Sequence, residues 1–254
     1  MESTGSNTMT AQPPTKCTTA LVLGGGGAIG LVWMAGVVIG LAKAGIDLAR
    51  ADRIVGTSAG SITGCVIAGG LDPMRLVTPP APTDEHLEPQ PDPNSPAMRI
   101  AQMGSLIGLT AWPDKELLIT AIDVVTNQRQ VWTASGPASP AEAVASSTAT
   151  PGICAPVPID GASYVDGGMH STVNADLAAG AQQILIIEPL AHLYPHAPAD
   201  SELGGATTLF IVPETAAVIG PDLFDPAGFE PAFQTGLRQA ADHAAAVRQM
   251  WPTV

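Results

Sequence analysis

Apolar positions along this chain fall into short runs of alternating length, separated by glycine, proline and small polar residues. Thr19-Ala20-Leu21-Val22-Leu23 reads as a buried strand that runs directly into Gly24-Gly25-Gly26-Gly27-Ala28-Ile29-Gly30. A helix-length apolar stretch follows from Leu31 to about Ala44, with Gly45 in the position typical of a residue just past a helix end. A second strand, Arg53-Ile54-Val55, leads into Gly56-Thr57-Ser58-Ala59-Gly60, and a helix carrying Ile62, Cys65, Val66 and Ala68 stops at Gly69-Gly70. Met98–Leu109 is an apolar segment, and Leu117–Val125 reads as a strand that pairs with Gln130-Val131-Trp132 across the turn at Thr126-Asn127. Beyond it come a short helix at Ala141–Ser147, an apolar approach at Tyr164-Val165, a helix end and strand within Ala178–Ile187, and a strand at Thr208–Val212. The chain closes on a helix over 231–249, with Phe233, Leu237, Ala240, Ala244 and Val247 near one face. Apolar strands alternating with helices predict an α/β sandwich around a largely parallel sheet. No internal repeat is visible.

Two segments break the pattern. Residues 1–17 are mostly polar and predict a disordered tail ahead of one domain over 18–254. Seven prolines between Pro79 and Pro96 preclude regular structure, so 79–96 reads as an insertion, either a surface loop or a lid over a site.

Composition narrows the function classes. With 46% apolar and 13% charged residues the chain is globular, and with 4% aromatics its core must be built from Ala, Val, Ile and Leu. A net charge of −13 argues against nucleic acid, whose phosphates need clustered Lys and Arg, and against simple electrostatic docking on anionic lipid. It still allows transient apolar contact with a membrane surface. Three scattered cysteines make no disulfide framework and no zinc pair, which fits a reduced, cytoplasmic setting. No secretory signal is apparent at the N-terminus, and no apolar run reaches the ~18 residues needed to span a bilayer.

The candidate chemistry lies where strands end in glycine. Gly56-x-Ser58-x-Gly60 between a strand and a helix has the form of a nucleophile elbow, in which Gly56 and Gly60 make room for a sharp turn and Ser58 stands at a helix N-terminus. The plain alternative is a Gly/Ser-rich strand–helix turn with no chemistry. The loop Gly25-x-Gly27-x-x-Gly30 fits a dinucleotide fingerprint, but the acidic residue that pattern requires at the end of the next strand is displaced by the elbow. Consecutive amides of Gly25, Gly26 and Gly27 fit an oxyanion hole instead, a reading that the elbow on the neighbouring strand supports. A serine nucleophile needs a base. Asp166, followed by Gly167-Gly168, is the better candidate, because a tight loop there would bring its carboxylate against a second segment; an Asx-type turn is the alternative reading. His86, His170, His192, His196 and His243 have no supporting pattern, and Pro195 argues against a helix that would put His192 and His196 on one metal.

Taken together and in this order, Gly24–Gly30, Gly56–Gly60 and Asp166-Gly167-Gly168 resemble the patatin-like phospholipases, as does the block Ala145–Val157 before the aspartate. The resemblance implies a three-layer α/β/α sandwich with a mainly parallel central sheet. It further implies a Ser58–Asp166 dyad without histidine, an oxyanion hole at Gly25, Gly26 and Gly27, and supporting turns at Gly56, Gly60, Gly167 and Gly168. The activity implied is hydrolysis of lipid carboxylic esters through an acyl-enzyme, with no cofactor, no metal and a lipid or ester as substrate. One departure stands out. The family often carries Arg or Lys where this chain has Ile29, which leaves a catalytically weak scaffold as one alternative; the glycines Gly25, Gly27 and Gly30 leave a nucleotide-binding oxidoreductase as the other.

Overall fold

The computed structural model describes residues 17–78 and 95–251; the expected tail, apart from Cys17, and most of the proline-rich insertion, with His86, lie outside them. Eight strands form a single sheet: β1 (Thr19–Leu23), β2 (Arg53–Thr57), β3 (Glu116–Asp123), β4 (Arg129–Trp132), β5 (Val157–Ile159), β6 (Ala162–Asp166), β7 (Gln183–Ile187) and β8 (Thr207–Ile211). Their order is β5-β6-β3-β2-β1-β7-β8, with β4 paired to β3. The central run β3-β2-β1-β7-β8 is parallel, and β4, β5 and β6 are antiparallel to their neighbours.

The helices are α1 (Gly27–Lys43), α2 (Ala59–Ala68), α3 (Pro96–Ile107), α4 (Pro140–Ser147) and α5 (Phe229–Met250). Right-handed crossovers that step in one direction, β1 to β2 to β3, put α1 and α2 on the same face of the sheet. Leu21, Leu23 and Ile54 join the side chains of these helices, with α4 and α5, in the larger core. The other outer layer is thin. Ala20, Val22, Val55, Ile184 and Ile186 are covered there by Val173, Ala175, Ala178 and Ala181, from a 3-10 turn and its flanks rather than an α-helix.

Helix α1 explains the run of small residues in the sequence. It lies between the sheet and α5, and a Cβ on Gly36 or Gly236 would overlap the backbone of the opposing helix. The two helices therefore meet backbone to backbone, and the buried face of α5 is Ala232, Gly236, Gln239, Ala240, Ala244 and Val247. Phe233 and Leu237, expected on that face, are only half-buried beside it. Trp33 Nε1 donates to Gln239 Oε1 at 2.9 Å across the contact, so the one large polar group there is partnered.

One feature of the sheet sets the site. Ile119 and Thr120 pair with both β2 and β4, while Ala121 and Ile122 pair with both β4 and β6. A strand has two edges, so β2 and β6 must share one edge of β3, end to end. Thr57, the last residue of β2, lies opposite Thr120, and Asp166, the last of β6, lies opposite Ala121.

Candidate active site

The abutting ends of β2 and β6 bring together two residues far apart in sequence. Ser58 follows β2 with φ 52°, a left-handed backbone that is strained for a residue with a Cβ. It is the N-cap of α2, and its N–H donates to Ser147 Oγ at 2.9 Å, which anchors the turn to the end of α4. Its hydroxyl is turned the other way: Ser58 Oγ donates to Asp166 Oδ2 at 2.8 Å.

The glycines around this turn are positions of close approach. A Cβ on Gly60 would overlap the carbonyl of Leu23, and one on Gly56 would stand 2.7 Å from Ser61 Cα. A Cβ on Gly167 would run into Thr120, which allows β6 to end flush against β3. Gly168 plays another part, as its N–H donates to Asp166 Oδ1 at 2.8 Å. The Asx-type turn and the serine contact are thus both present, one on each carboxylate oxygen.

Asp166 is buried, and its ionised form is correspondingly disfavoured. Burial pushes its carboxyl above the usual range, against the opposing pull of the Gly168 N–H, Ser58 and Thr150 hydrogen bonds and the charge of Arg99. Thr150 Oγ1 donates to Asp166 Oδ2 at 3.1 Å. Arg99 is fixed by Nη2 donation to the Thr148 carbonyl at 3.0 Å and its Oγ1 at 2.8 Å. Removing the Thr150 hydroxyl should raise the Asp166 pKa further. In Thr150→Val the titration of the Asp166 carboxyl, followed by NMR, is therefore expected to move to higher pH, and a shift to lower pH would contradict this account.

Behind the pair runs a buried polar chain. Thr57 Oγ1 and Thr120 Oγ1 are 3.0 Å apart, and Asn174 Nδ2 donates to Thr57 Oγ1 at 3.0 Å and to the Ser171 carbonyl at 2.7 Å. Arg129 donates to Asn174 Oδ1 at 3.0 Å and pairs twice with Asp176, at 2.7 and 2.6 Å. These contacts tie the end of β2, the middle of β3 and the start of β4 to the segment that covers the thin face.

The glycine loop leaves the carboxyl end of β1, where chain direction across the sheet reverses, a place where open α/β sheets form crevices. It borders Ser58, since a Cβ on Gly25 would stand 3.5 Å from Ser58 Cβ. The expected cradle of three amides needs correction. Gly25 N–H donates to the Thr172 carbonyl at 2.7 Å and is not available to a substrate. Among the described residues the amides of Gly26 and Gly27 have no acceptor, as befits the start of α1. Ala59, the first residue of α2, likewise has no acceptor for its N–H among the described residues, and the sequence reading overlooked it.

The remaining expectations find other places. Ile29 is buried in the core against Gly228, so the position where the family often carries a basic residue is filled here by an apolar core side chain. His170 is exposed and makes no hydrogen bond to Ser58 or Asp166. His192 contacts the Ile219 carbonyl at 2.8 Å, and His196 contacts the buried Glu188 at 2.7 Å. Asp47 and Asp52, the acids nearest β2, are engaged by backbone amides before that strand, so neither stands at its carboxyl end where a ribose would need it. Cys17, Cys65 and Cys154 are free thiols. Among the described residues no cluster of three His, Cys, Asp or Glu is placed to hold a metal, and no helix is long and apolar enough to cross a membrane.

Fold and site together describe an α/β protein with a serine on a strained strand–helix turn and a buried carboxylate on its hydroxyl. Residues 109–179 match the family described as Patatin-like phospholipase, so the resemblance seen in the sequence is shown on the stretch from β3 to β6 that supplies Asp166. No curated protein matches the chain. Among solved structures, VipD from Legionella pneumophila is similar at 13% identity over 91% of this chain and 67% of its own, with a TM-score of 0.49. ExoU, in the heterodimeric ExoU–SpcU complex from the type III secretion system of Pseudomonas aeruginosa, is similar at 17% identity over 93% of this chain, with a TM-score of 0.43. This chain spans 52% of that protein.

Proposed function

We propose that this protein is a serine acyl hydrolase that cleaves carboxylic esters of lipids with a Ser58–Asp166 dyad. The observation that carries the proposal is the 2.8 Å bond from Ser58 Oγ to a buried carboxylate, made at a turn with left-handed backbone that the Ser58 N–H to Ser147 Oγ bond anchors. The match to the patatin-like family over 109–179 supports a lipid ester as substrate.

In this mechanism Ser58 Oγ attacks the ester carbonyl carbon as its proton passes to Asp166 Oδ2. The negative charge on the carbonyl oxygen is received by the free amides of Gly26 and Gly27, with Ala59 N–H and the positive end of α2 on the serine side. Collapse breaks the bond to the alcohol, which leaves with the proton held by Asp166. Water then attacks the acyl-serine, giving its proton to Asp166, and the acid departs as Ser58 regains a proton. A carboxylate is a weak base for an alcohol, and the raised pKa of Asp166 narrows that gap.

The direct test is treatment of the protein with a fluorophosphonate and mapping of the adduct by mass spectrometry. A single adduct on Ser58, lost in Ser58→Ala, is the expected result. Absence of labelling, or labelling elsewhere, would remove the basis for the proposal.

A further inference from the structure

We propose that the loops around Ser58 form a docking face for a neutral or zwitterionic lipid surface, with Ile153, Met169, Leu193 and Tyr194 as its apolar contacts. The inference rests on the acyl-hydrolase reading only for the presence of a lipid, and it is tested without turnover.

The first observation is where exposed apolar side chains lie. Of the nine large hydrophobic residues exposed among the described residues, only Met74 lies away from the carboxyl edge of the sheet; Phe210, near the end of β8, stacks on His196 of the 189–199 loop. The others are Val124, Val125, Ile153, Met169, Leu193, Tyr194 and Phe224. Met169 is 62% exposed although it comes three residues after the buried Asp166. Ile153 is 58% exposed in the turn after Thr150, whose hydroxyl touches that carboxylate.

The second observation is charge. In a chain of net charge −13, the segments 148–156, 167–175 and 189–199 contain no Asp, Glu, Lys or Arg. These three segments flank the site. Thr150 bonds Asp166, the Thr172 carbonyl takes the Gly25 amide, and Pro189 lies where a Cβ on Gly26 would fall. Acidic residues return at the margins, with Asp123 beside Val124 and with Asp222 and Asp225 around Phe224. The face is thus an uncharged apolar rim inside an anionic surround.

The third observation is shape. A groove of about 340 Å³ runs along this rim, lined by Val124, Pro151, Cys154, Pro156, Val165 and Met169 among others. It joins the 151–156 turn to Met169, with Asn127 as a polar residue of its lining, while Ile153 is exposed in that same turn. A protein surface ordinarily scatters such residues singly; here seven of them fall on loops at one edge of the sheet, on and beside segments without a charged residue, which marks a docking site. A lipid surface fits better than a second copy of the chain, since a protein seated here would cover the mouth of the site. Like-charge repulsion from the rest of the molecule disfavours an anionic leaflet, so the surface it fits carries no net charge.

Partition onto phosphatidylcholine vesicles, measured by flotation with the full chain carrying Ser58→Ala, tests the docking face separately from the chemistry. Binding is expected, and it should weaken when phosphatidylserine is mixed into the vesicles. Placing Ile153→Glu and Leu193→Glu together should lower partition by roughly tenfold or more, as two apolar contacts are replaced by charge. Met74→Glu, beyond the far end of α2, should leave it unchanged. The thermal midpoint of each variant identifies any loss that is merely unfolding, and single Tyr194→Glu then serves as the second probe. No binding to phosphatidylcholine, equal binding by the double variant, tighter binding to anionic vesicles, or self-association in place of vesicle binding would each overturn the proposal. Fluorophosphonate labelling of Ser58 is indifferent to all of these results.

Discussion

Asp166→Asn is expected to lower kcat/KM on a soluble ester by about 10³-fold, the scale of a lost general base, while the protein stays folded. The side-chain oxygen of asparagine can still accept a hydrogen bond, so the turn survives, but the amide cannot take the serine proton. His170→Ala should stay within about twofold of the parent, because His170 is exposed and does not touch the pair. The opposite ranking would mean that the base has been misassigned. The stability of the same variant supplies an independent check. Burial raises the Asp166 pKa in the folded chain above its unfolded value, so folding favours the protonated form. The stability linked to that proton is complete below the unfolded pKa and is lost as pH rises through the folded one. At neutral pH the ionised Asp166 therefore costs stability, and Asn should melt at the same temperature as the parent or higher. At a pH below both values that advantage should disappear. Thermal midpoints of the two proteins across pH measure this directly, and a variant that melts lower at neutral pH would show that the carboxylate is net stabilising.

The second large effect is expected at Gly60. Gly60→Ala places a methyl group onto the backbone of Leu23, the last residue of β1, and of Gly24 after it, atoms that cannot rotate out of the way. Relief requires α2 to move off the end of β1, which separates Ser58 from the glycine loop. A loss of about 3 kcal/mol in unfolding free energy is expected, with a fall in kcat beyond what the lost stability explains. Gly64→Ala is the matched control in the same helix. Its methyl would meet only side chains, at 3.3 Å from Ile54 Cγ2 and 3.4 Å from Leu117 Cδ1, and helix propensity favours alanine over glycine. Denaturant unfolding of the two variants should therefore differ clearly. Similar values would mean that the approach of α2 to β1 is soft.

The sequence signalled both members of the pair because each is flanked by glycines that a close-packed strand end requires. Ser58 sits between Gly56 and Gly60, and Asp166 precedes Gly167 and Gly168. Most strands and helices were legible from apolar runs, although α1 begins inside the glycine loop, at Gly27, rather than after it. Strand β5 was not foreseen; it has three residues, one of them Pro158, and carries no periodicity to read. The small-residue contact between α1 and α5 was equally silent, since apolar patterning points to Phe233 and Leu237 rather than to Gly236. Ser147, Thr150, Thr120 and Asn174 also passed unnoticed. Each is an ordinary small polar residue until the pairing of β3 brings it against the site; only the block Ala145–Val157 hinted at two of them. Gly25 shows the converse error, because a run of glycines reveals where amides are free of side chains but not which amides already have an acceptor.

The shared edge of β3 bears on how this architecture can vary. What separates serine from carboxylate is a junction between two strand tips, so the 107 residues between Ser58 and Asp166 act on that spacing only through β3 and β6. Lineages could lengthen or trim the intervening connections freely. Slippage of β6 by a single residue would present Val165 in place of Asp166 and turn the carboxylate to the opposite side of the sheet. Length variation is therefore expected in the connections, and almost none between Val157 and Gly168.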